Sequence, residues 1–436
     1  MEIYNLISFL GVFVLIGTAW LCSSHKKTVN WRVIIWGISL QLIFAIFIFI
    51  LPIGSKIFLF LNNIVIKILD SATAGAEFLF GRLALPPGAV NEAGETSLGF
   101  FLAFQALPTI IFFAALVGIL YYYNILPLII RGFAYVFTKL MKVSGAESLC
   151  ISSNIFVGIE SSLTVRPHLS DMTRSELHTI LTGGMATIAS SVMASYVFIL
   201  KDVFPNIAGH LISASLISAP AALIMSKLIL PETERPETLG VHIKPSYEKE
   251  SNVMEAIING ANSGVKLVVG VSALLLAFLG LVSLLNLCTG GIGSWINSII
   301  GIHFDWSLEN ILGIIFYPFT LIIGVPPQDA VEISRIIGER TIVTELTAYQ
   351  HLTEILKENA LIHPRSAVIC TYALCGFAHV ASLAIFVGGI SALVPERRKD
   401  LAHLGLRALL AATLACLMTA AVAGTFFTEE SILLNL

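Results

Sequence analysis

The sequence predicts an all-α polytopic membrane protein, and three observations carry that reading. Hydrophobic residues make up 56% of the 436 positions and charged residues only 12%, about half the charge of a soluble domain. Mean hydropathy is +0.88. Apolar runs long enough to cross a hydrocarbon core of about 30 Å recur along the whole chain.

About eight spans are expected, near residues 4–22, 33–54, 101–123, 177–200, 208–230, 267–288, 366–394 and 403–426. The first run follows no basic leader and ends in no small-residue cleavage site, so it reads as a retained helix. Four stretches are only half apolar: Ile57–Phe80, Ile125–Met141, Ala146–Leu163 and Gly324–Leu346. These are expected as interfacial or re-entrant helices, not spans. Pro108 removes a backbone hydrogen bond inside the 101–123 run and is expected to kink it. Tyr121, Tyr122 and Tyr123 at its end suit an aromatic belt. The amphipathic stretch Ser251–Lys266 is expected as an interfacial helix before the next span.

Two polar stretches interrupt the pattern. Pro231–Asn252 reads PETERPETLGVHIKPSYEKESN, a linker between two halves, and Asp400–Arg407 reads as a helix connection. Lys26, Lys27 and Arg32 follow the first span, and Arg397, Arg398 and Lys399 precede the last. The positive-inside rule puts both basic loops in the cytoplasm and both ends outside.

Several function classes drop out. The net charge of −3 gives no footing for nucleic acid. The six cysteines lie mostly in apolar runs, with no CxxC pair or metal spacing, and read as small buried hydrophobes. No HExxH, Walker loop or GxSxG elbow is present, which argues against an enzyme or an ATP-driven pump.

The two halves share a design. Each has a half-apolar segment carrying a lone glutamate, Glu160 in NIFVGIESS and Glu345 in TIVTELTAY. Each is followed by a long apolar helix interrupted by small or polar residues, 178–196 and 366–389. An internally repeated secondary transporter has this form, with its site between broken helices at the midplane. A charge in hydrocarbon costs at least about 2.5–3.5 kcal/mol. Either each glutamate caps a helix at the interface, or a cavity, solute or cation offsets the cost.

Around Glu160, the stretch Ser152–Gly158 is a poor helix former at Val157 and Gly158. Freed carbonyls, the Asn154 amide oxygen and the hydroxyls of Thr187 and Ser190 would form the hard oxygen set that a Na⁺ ion wants. The same small residues also serve close helix packing. His379 lies in CGFAHVAS, within an apolar run. It reads either as a hydrogen-bonded core residue or, if Gly376 breaks the helix, as part of a cavity wall. Phe377 would then stack on a flat ring while His379 and Ser382 bond a polar edge.

Long collinear strings between about Thr96 and Thr425 identify a family. They include FLAFQALPTIIFF (101–113), SSNIFVG (152–158), VRPHL (165–169), SELHTILTGGMATIASSV (175–192), SAPAAL (218–223), PETERP (231–236), TELTAY (344–349), TYALCGFA (371–378) and GGISALVPERRKD (388–400). The chain resembles the concentrative nucleoside transporters. That resemblance implies a multi-pass inner (plasma) membrane homotrimer without a cofactor, using Na⁺ as coupling ion to import nucleoside-like solutes. It also implies a scaffold and a mobile transport domain with two re-entrant hairpins, each paired with a broken helix. Residues 1–95 would then be peripheral scaffold helices, and 96–145 a scaffold helix with an interfacial one. Residues 146–230 would be the first transport repeat, 231–252 the linker, 253–310 interfacial and scaffold helices, and 311–436 the second repeat.

By the same resemblance, Asn154, Val157, Thr187 and Ile188 match the family's sodium site, and Gly158, Glu160, Glu345, Phe377, His379 and Ser382 the solute site. Three departures stand out. The family's Gln-Thr pair after NIFVG is replaced by Ile159 alone. His379 stands where the family has asparagine. Thr344, Leu346 and Thr347 stand where it often has Asn, Phe and Val. Losing an amide removes a donor and an acceptor, so a shifted solute preference is expected. Coupling to protons through Glu160 or His379, or a sensor that binds without transport, are the alternatives at this point.

Overall fold

Proline, glycine and buried polar residues decide where these apolar runs break. The computed structural model describes residues 3–91, 94–246, 250–301 and 303–428. In chain order the helices are α1 (Ile3–Leu21), α2 (Trp31–Ala45), α3 (Pro52–Phe80), α4 (Leu102–Gln105), α5 (Leu107–Tyr122) and α6 (Ile125–Met141). Then come α7 (Gly145–Asn154), α8 (Arg174–Ala186), α9 (Ser190–Leu200), α10 (Ile207–Ile229) and α11 (Val253–Ile300). The rest are α12 (Leu308–Ile322), α13 (Pro327–Ile342), α14 (Glu345–Lys357), α15 (Pro364–Leu374), α16 (Val380–Leu393) and α17 (Arg398–Phe426).

Among the described residues, eight helical stretches are long and apolar enough to cross a membrane, α8 and α9 counting as one. The number matches the expectation, but two members change. Ile57–Phe80 is not a short interfacial or re-entrant element. It is the body of the 29-residue α3, opened by Pro52 after an extended Leu51, as a residue before proline prefers. Its polar residues lowered the apparent apolarity, yet Asn62 is satisfied inside by the Pro205 carbonyl and the Gly209 amide, both at 3.1 Å. Conversely, 366–394 is no single span. It is divided into α15 and α16 by an irregular turn at Cys375–His379.

Three further boundaries differ. Ser251–Lys266 is no separate interfacial helix; it forms the first turns of α11, which runs unbroken for 48 residues after Asn252 caps the Glu255 amide. At 1.5 Å per residue that is roughly 72 Å, and no proline interrupts it. Asp400–Arg407 is not a connection but the start of α17, where Arg397 pairs with Asp400 at 3.0 Å. Pro108 lies in the first turn of α5, where its missing N–H costs nothing; the run divides at Ala106 instead of kinking at mid-helix.

The centre belongs to α10 and α17, whose apolar windows are 89% buried, against 11% for α11 at the rim. α11 closes on α5 through small residues: a Cβ on Gly260 would sit 2.6 Å from the Ala114 carbonyl oxygen. α1 runs antiparallel to α17, with Asn5 donating to the Phe427 carbonyl at 2.8 Å. The two basic loops therefore share one end of the molecule. The chain end beyond Thr428, expected outside, lies outside the described residues.

At that basic end the buried Lys227 binds Glu147 at 2.8 Å and Glu232 at 3.4 Å. Glu147 and Glu176 each complete a capping box, with Ser144 and Thr173. The linker is not free chain here, since Thr238 accepts from the Gly145 amide at 2.8 Å and Ser246 donates to the Thr164 carbonyl at 2.8 Å. The start of α7 is thus held from both sides, which sets where its far end points.

Candidate functional site

Two hairpin tips and two helix breaks converge beneath α5 and α11. In the first half, α7 ends at Asn154, a turn follows, and a 3₁₀ helix runs from Ile159 to His168. α8 ends at Ala186, Thr187 is extended (φ −121°, ψ 166°), and α9 restarts at Ser190. The Ser190 amide donates to the Phe156 carbonyl at 2.9 Å, joining tip to break. Asn154 Oδ1 accepts from Ser161 Oγ at 2.9 Å, and Thr187 Oγ1 donates to the Gly183 carbonyl at 2.9 Å. A Cβ on Gly183 would come within 3.7 Å of Asn154 Nδ2, and one on Gly158 within 3.2 Å of Ala189 Cβ. Asn154, Val157, Thr187 and Ile188 are thereby gathered where α8 presents its last carbonyls, groups with no helical N–H to receive.

In the second half, α13 ends at Ile342, and Thr344 caps α14 so that Glu345 is its first residue. The second break is the irregular stretch Cys375–His379, and Gly376 makes it possible. Its φ of +149° suits glycine, and a Cβ there would lie 2.8 Å from the Ala186 carbonyl oxygen. The two breaks therefore touch each other.

Glu345 is 4% exposed. Tyr196 OH donates to its Oε1, and His379 Nε2 lies 2.8 Å from its Oε2. The histidine tautomer follows from its own contacts. Nδ1 accepts from the Ser382 amide at 3.2 Å, capping α16, so the ring proton is on Nε2. Nε2 lies 2.7 Å from Ser382 Oγ as well as 2.8 Å from Glu345 Oε2, so one N–H stands between two acceptors.

Gly158, Glu160, Glu345, Phe377, His379 and Ser382 all line one cleft, whose free volume of about 80 Å³ is below the roughly 300–1,000 Å³ of an open small-molecule site. A second cleft of about 520 Å³ shares Gly158, Glu160 and Leu267 with it and reaches Phe156 and Val157. Glu160 stands where the two meet. Ile159 also lines the first cleft, but its tip packs on α16, since a Cβ on Gly389 would be 2.2 Å from Ile159 Cδ1.

Two participants escape a reading of the sequence. Tyr196 holds Glu345 from α9, and its signal was a lone phenol in SSVMASYVFIL. Ser161 holds the Asn154 oxygen, and it directly follows Glu160.

Comparison with known proteins assigns these features to one family. Sequence models described as "Na+ dependent nucleoside transporter" match at its N-terminus over residues 10–83 and at its C-terminus over 210–424. A model described as "Nucleoside recognition" matches residues 103–203. The chain is 37% identical over 434 residues to "Solute carrier family 28 member 3" of Mus musculus, covering 96% of itself but only 58% of that relative's length. It is 37% identical over 423 residues to an "Uncharacterized transporter" of Haemophilus influenzae, covering 96% of itself and 97% of the relative. The structure of CNTnw in an inward-facing substrate-bound state superposes with a TM-score of 0.85 at 35% identity, over 97% of this chain and 98% of that one. A variant of CNTnw in an outward-facing state superposes equally well, with a TM-score of 0.85 at 34% identity over 98% of each chain.

The Tyr196 contact yields a first test. Tyr196→Phe removes one donor from a buried carboxylate and is expected to cost roughly 1–3 kcal/mol. Thermal unfolding of the purified protein in detergent reads this as a lower Tm. An unchanged Tm would mean that Tyr196 does not hold Glu345.

Proposed function

This chain belongs to the concentrative, Na⁺ dependent nucleoside transporter family, and we propose that it is a sodium-coupled symporter. Its solutes are nucleosides or closely related ribosylated molecules, taken across the inner (plasma) membrane by alternating access. The observation that carries this reading is Glu345, a buried carboxylate with Oε1 bound by Tyr196 and Oε2 beside His379, in a cleft it shares with Glu160, Phe377 and Ser382.

Sodium binds at the first break. Asn154 Oδ1, Thr187 Oγ1 and the carbonyls of Val157 and Ile188 supply the neutral oxygen ligands that a hard cation takes. The end of α8 adds the negative pole of a half-helix. The ion ties the tip of the first hairpin to the break, and that tip carries Gly158 and Glu160 into the cleft. Ion and solute therefore strengthen each other's binding, since linkage is reciprocal.

Solute lies between the two hairpins. Glu345 Oε2 accepts a ribose hydroxyl, Phe377 stacks on the flat ring, and Glu160, His379 and Ser382 meet the polar edges. Ile159 offers a base edge nothing to bond, and its tip is engaged on α16. Preference among bases is accordingly shifted from that of relatives with an amide there. Residues 146–230 and 311–436 move as an elevator-like transport domain against a scaffold of α5 and α11, in a homotrimer. The two clefts that share Glu160 mark the boundary across which the site travels.

The deciding experiment is uptake of labelled uridine and adenosine into proteoliposomes. Accumulation is expected with an inward Na⁺ gradient and not without one, and Glu345→Gln is expected to abolish it while trimers still form. Uptake driven by a proton gradient and indifferent to Na⁺ would overturn the sodium assignment.

In the same assay Thr187→Ala should raise the Na⁺ concentration for half-maximal uptake several-fold. An unchanged Na⁺ curve would place the ion elsewhere.

Replacing Ile159 by Gln-Thr together with His379→Asn should reorder the preference between uridine and adenosine. The same ranking in parent and variant would remove both positions from specificity.

A further inference from the structure

Arg340 is the largest side chain buried to completion in the described molecule. It stands in the last turn of α13, at the tip of the second hairpin. No carboxylate pairs with it among the described residues. Nη1 donates to the Ala373 carbonyl at 2.7 Å, and the Cys416 thiol lies beside the guanidinium. A guanidinium buried without a carboxylate needs a counter-charge.

The counter-charge is the end of α15. A helix leaves its last carbonyls without intrahelical donors and concentrates about half a negative charge there. Here those carbonyls are met one by one. Thr371 receives Tyr349 OH at 3.0 Å, Tyr372 the Cys375 amide at 3.3 Å, Ala373 the guanidinium, and Cys375 the Cys416 thiol at 3.4 Å. Charge enters this group through Arg340 alone.

The first half shows the complementary arrangement. Asn154 ends the first arm of its hairpin six residues before Glu160, and Arg340 lies five residues before Glu345. Each reaches the end of the half-helix that follows, α8 beside Asn154 and α15 beside Arg340. At α8 the groups gathered are neutral: the Asn154 amide, the Thr187 hydroxyl and the Cys416 thiol, 3.8 Å from the Ala186 carbonyl. One repeat thus has a half-helix end without a cation, and its counterpart has one with a cation built in.

We propose that Arg340 is a tethered cation, standing at the end of α15 where a sodium ion stands at the end of α8. It holds the second break in its solute-binding shape, so this half of the site needs no ion of its own. Arg340 is a positioning residue that acts through Ala373 and the turn bearing Phe377 and His379. The inference rests on the sodium assignment to the first break.

The test compares full-length trimers of the parent, Arg340→Met, Arg340→Lys and Arg340→Ala, with two readouts. One is equilibrium binding of labelled uridine at saturating Na⁺. The other is the rate at which N-ethylmaleimide modifies Cys375 and Cys416, both buried beside the break, followed by mass spectrometry. Arg340→Met is expected to weaken uridine binding by about tenfold or more and to speed labelling comparably. Arg340→Lys should stay near the parent in both. In Arg340→Ala, added guanidinium should restore binding and protection, whereas neutral urea at equal concentration should not. A Met variant that matches the parent, or a Lys variant as damaged as Met, overturns the proposal. If the Met and Ala variants do not fold, a folded Lys variant decides alone: parent-like readouts support the tethered cation, and tenfold losses overturn it. A parent that binds no uridine would count against the nucleoside reading, and the labelling arm would still judge Arg340.

Discussion

Two interrupted helices that meet end against end constrain everything else in this molecule. Gly376 approaches Ala186 so closely that a methyl group would collide with its carbonyl. Neither α8 nor α15 can continue as a helix through that contact. Each therefore presents unbonded carbonyls at the centre of an apolar bundle, where leaving them unmet costs several kcal/mol. Much of the sequence of both hairpins can be understood as an answer to that cost.

The answers differ between the halves, and the difference has functional content. In the first half the neutral groups of the Asn154 amide and the Thr187 hydroxyl stand at the end of α8. In the second half Tyr349 and Arg340 serve the end of α15 from the hairpin itself. Under the proposed sodium assignment the two repeats divide labour, the first end responding to an ion and the second carrying its own cation, since differential binding is what shifts a conformational equilibrium.

Glu345 obeys the same logic at the level of one side chain. Its carboxylate is buried and must be met by donors, and Tyr196 from α9 reaches it across the repeat boundary. His379 caps α16 through Nδ1, which sets Nε2 between Ser382 Oγ and Glu345 Oε2. The histidine thereby ties the second break to the buried carboxylate.

The sequence by itself determined the class of this protein and the segments in which its helices are interrupted. Apolar runs set a helical membrane fold, because lipid offers the backbone no other partner. Two lone glutamates in matched segments, with glycine and small polar residues nearby, marked both hairpins and both breaks. The sequence misjudged extents. The polar residues of α3 disguised a long helix, since only packing reveals that Asn62 is satisfied inside. The run 366–394 counted as one span although Gly376 marked a break within it, and only the fold shows that the break is held by the Gly376–Ala186 approach, between residues far apart in the chain. Only the tertiary structure decided that Tyr196 holds Glu345, that His379 stands between Glu345 and Ser382, and that Arg340 faces the end of α15. Each is a pairing of groups from separate elements, and linear spacing has no signal for which distant partner meets a buried charge.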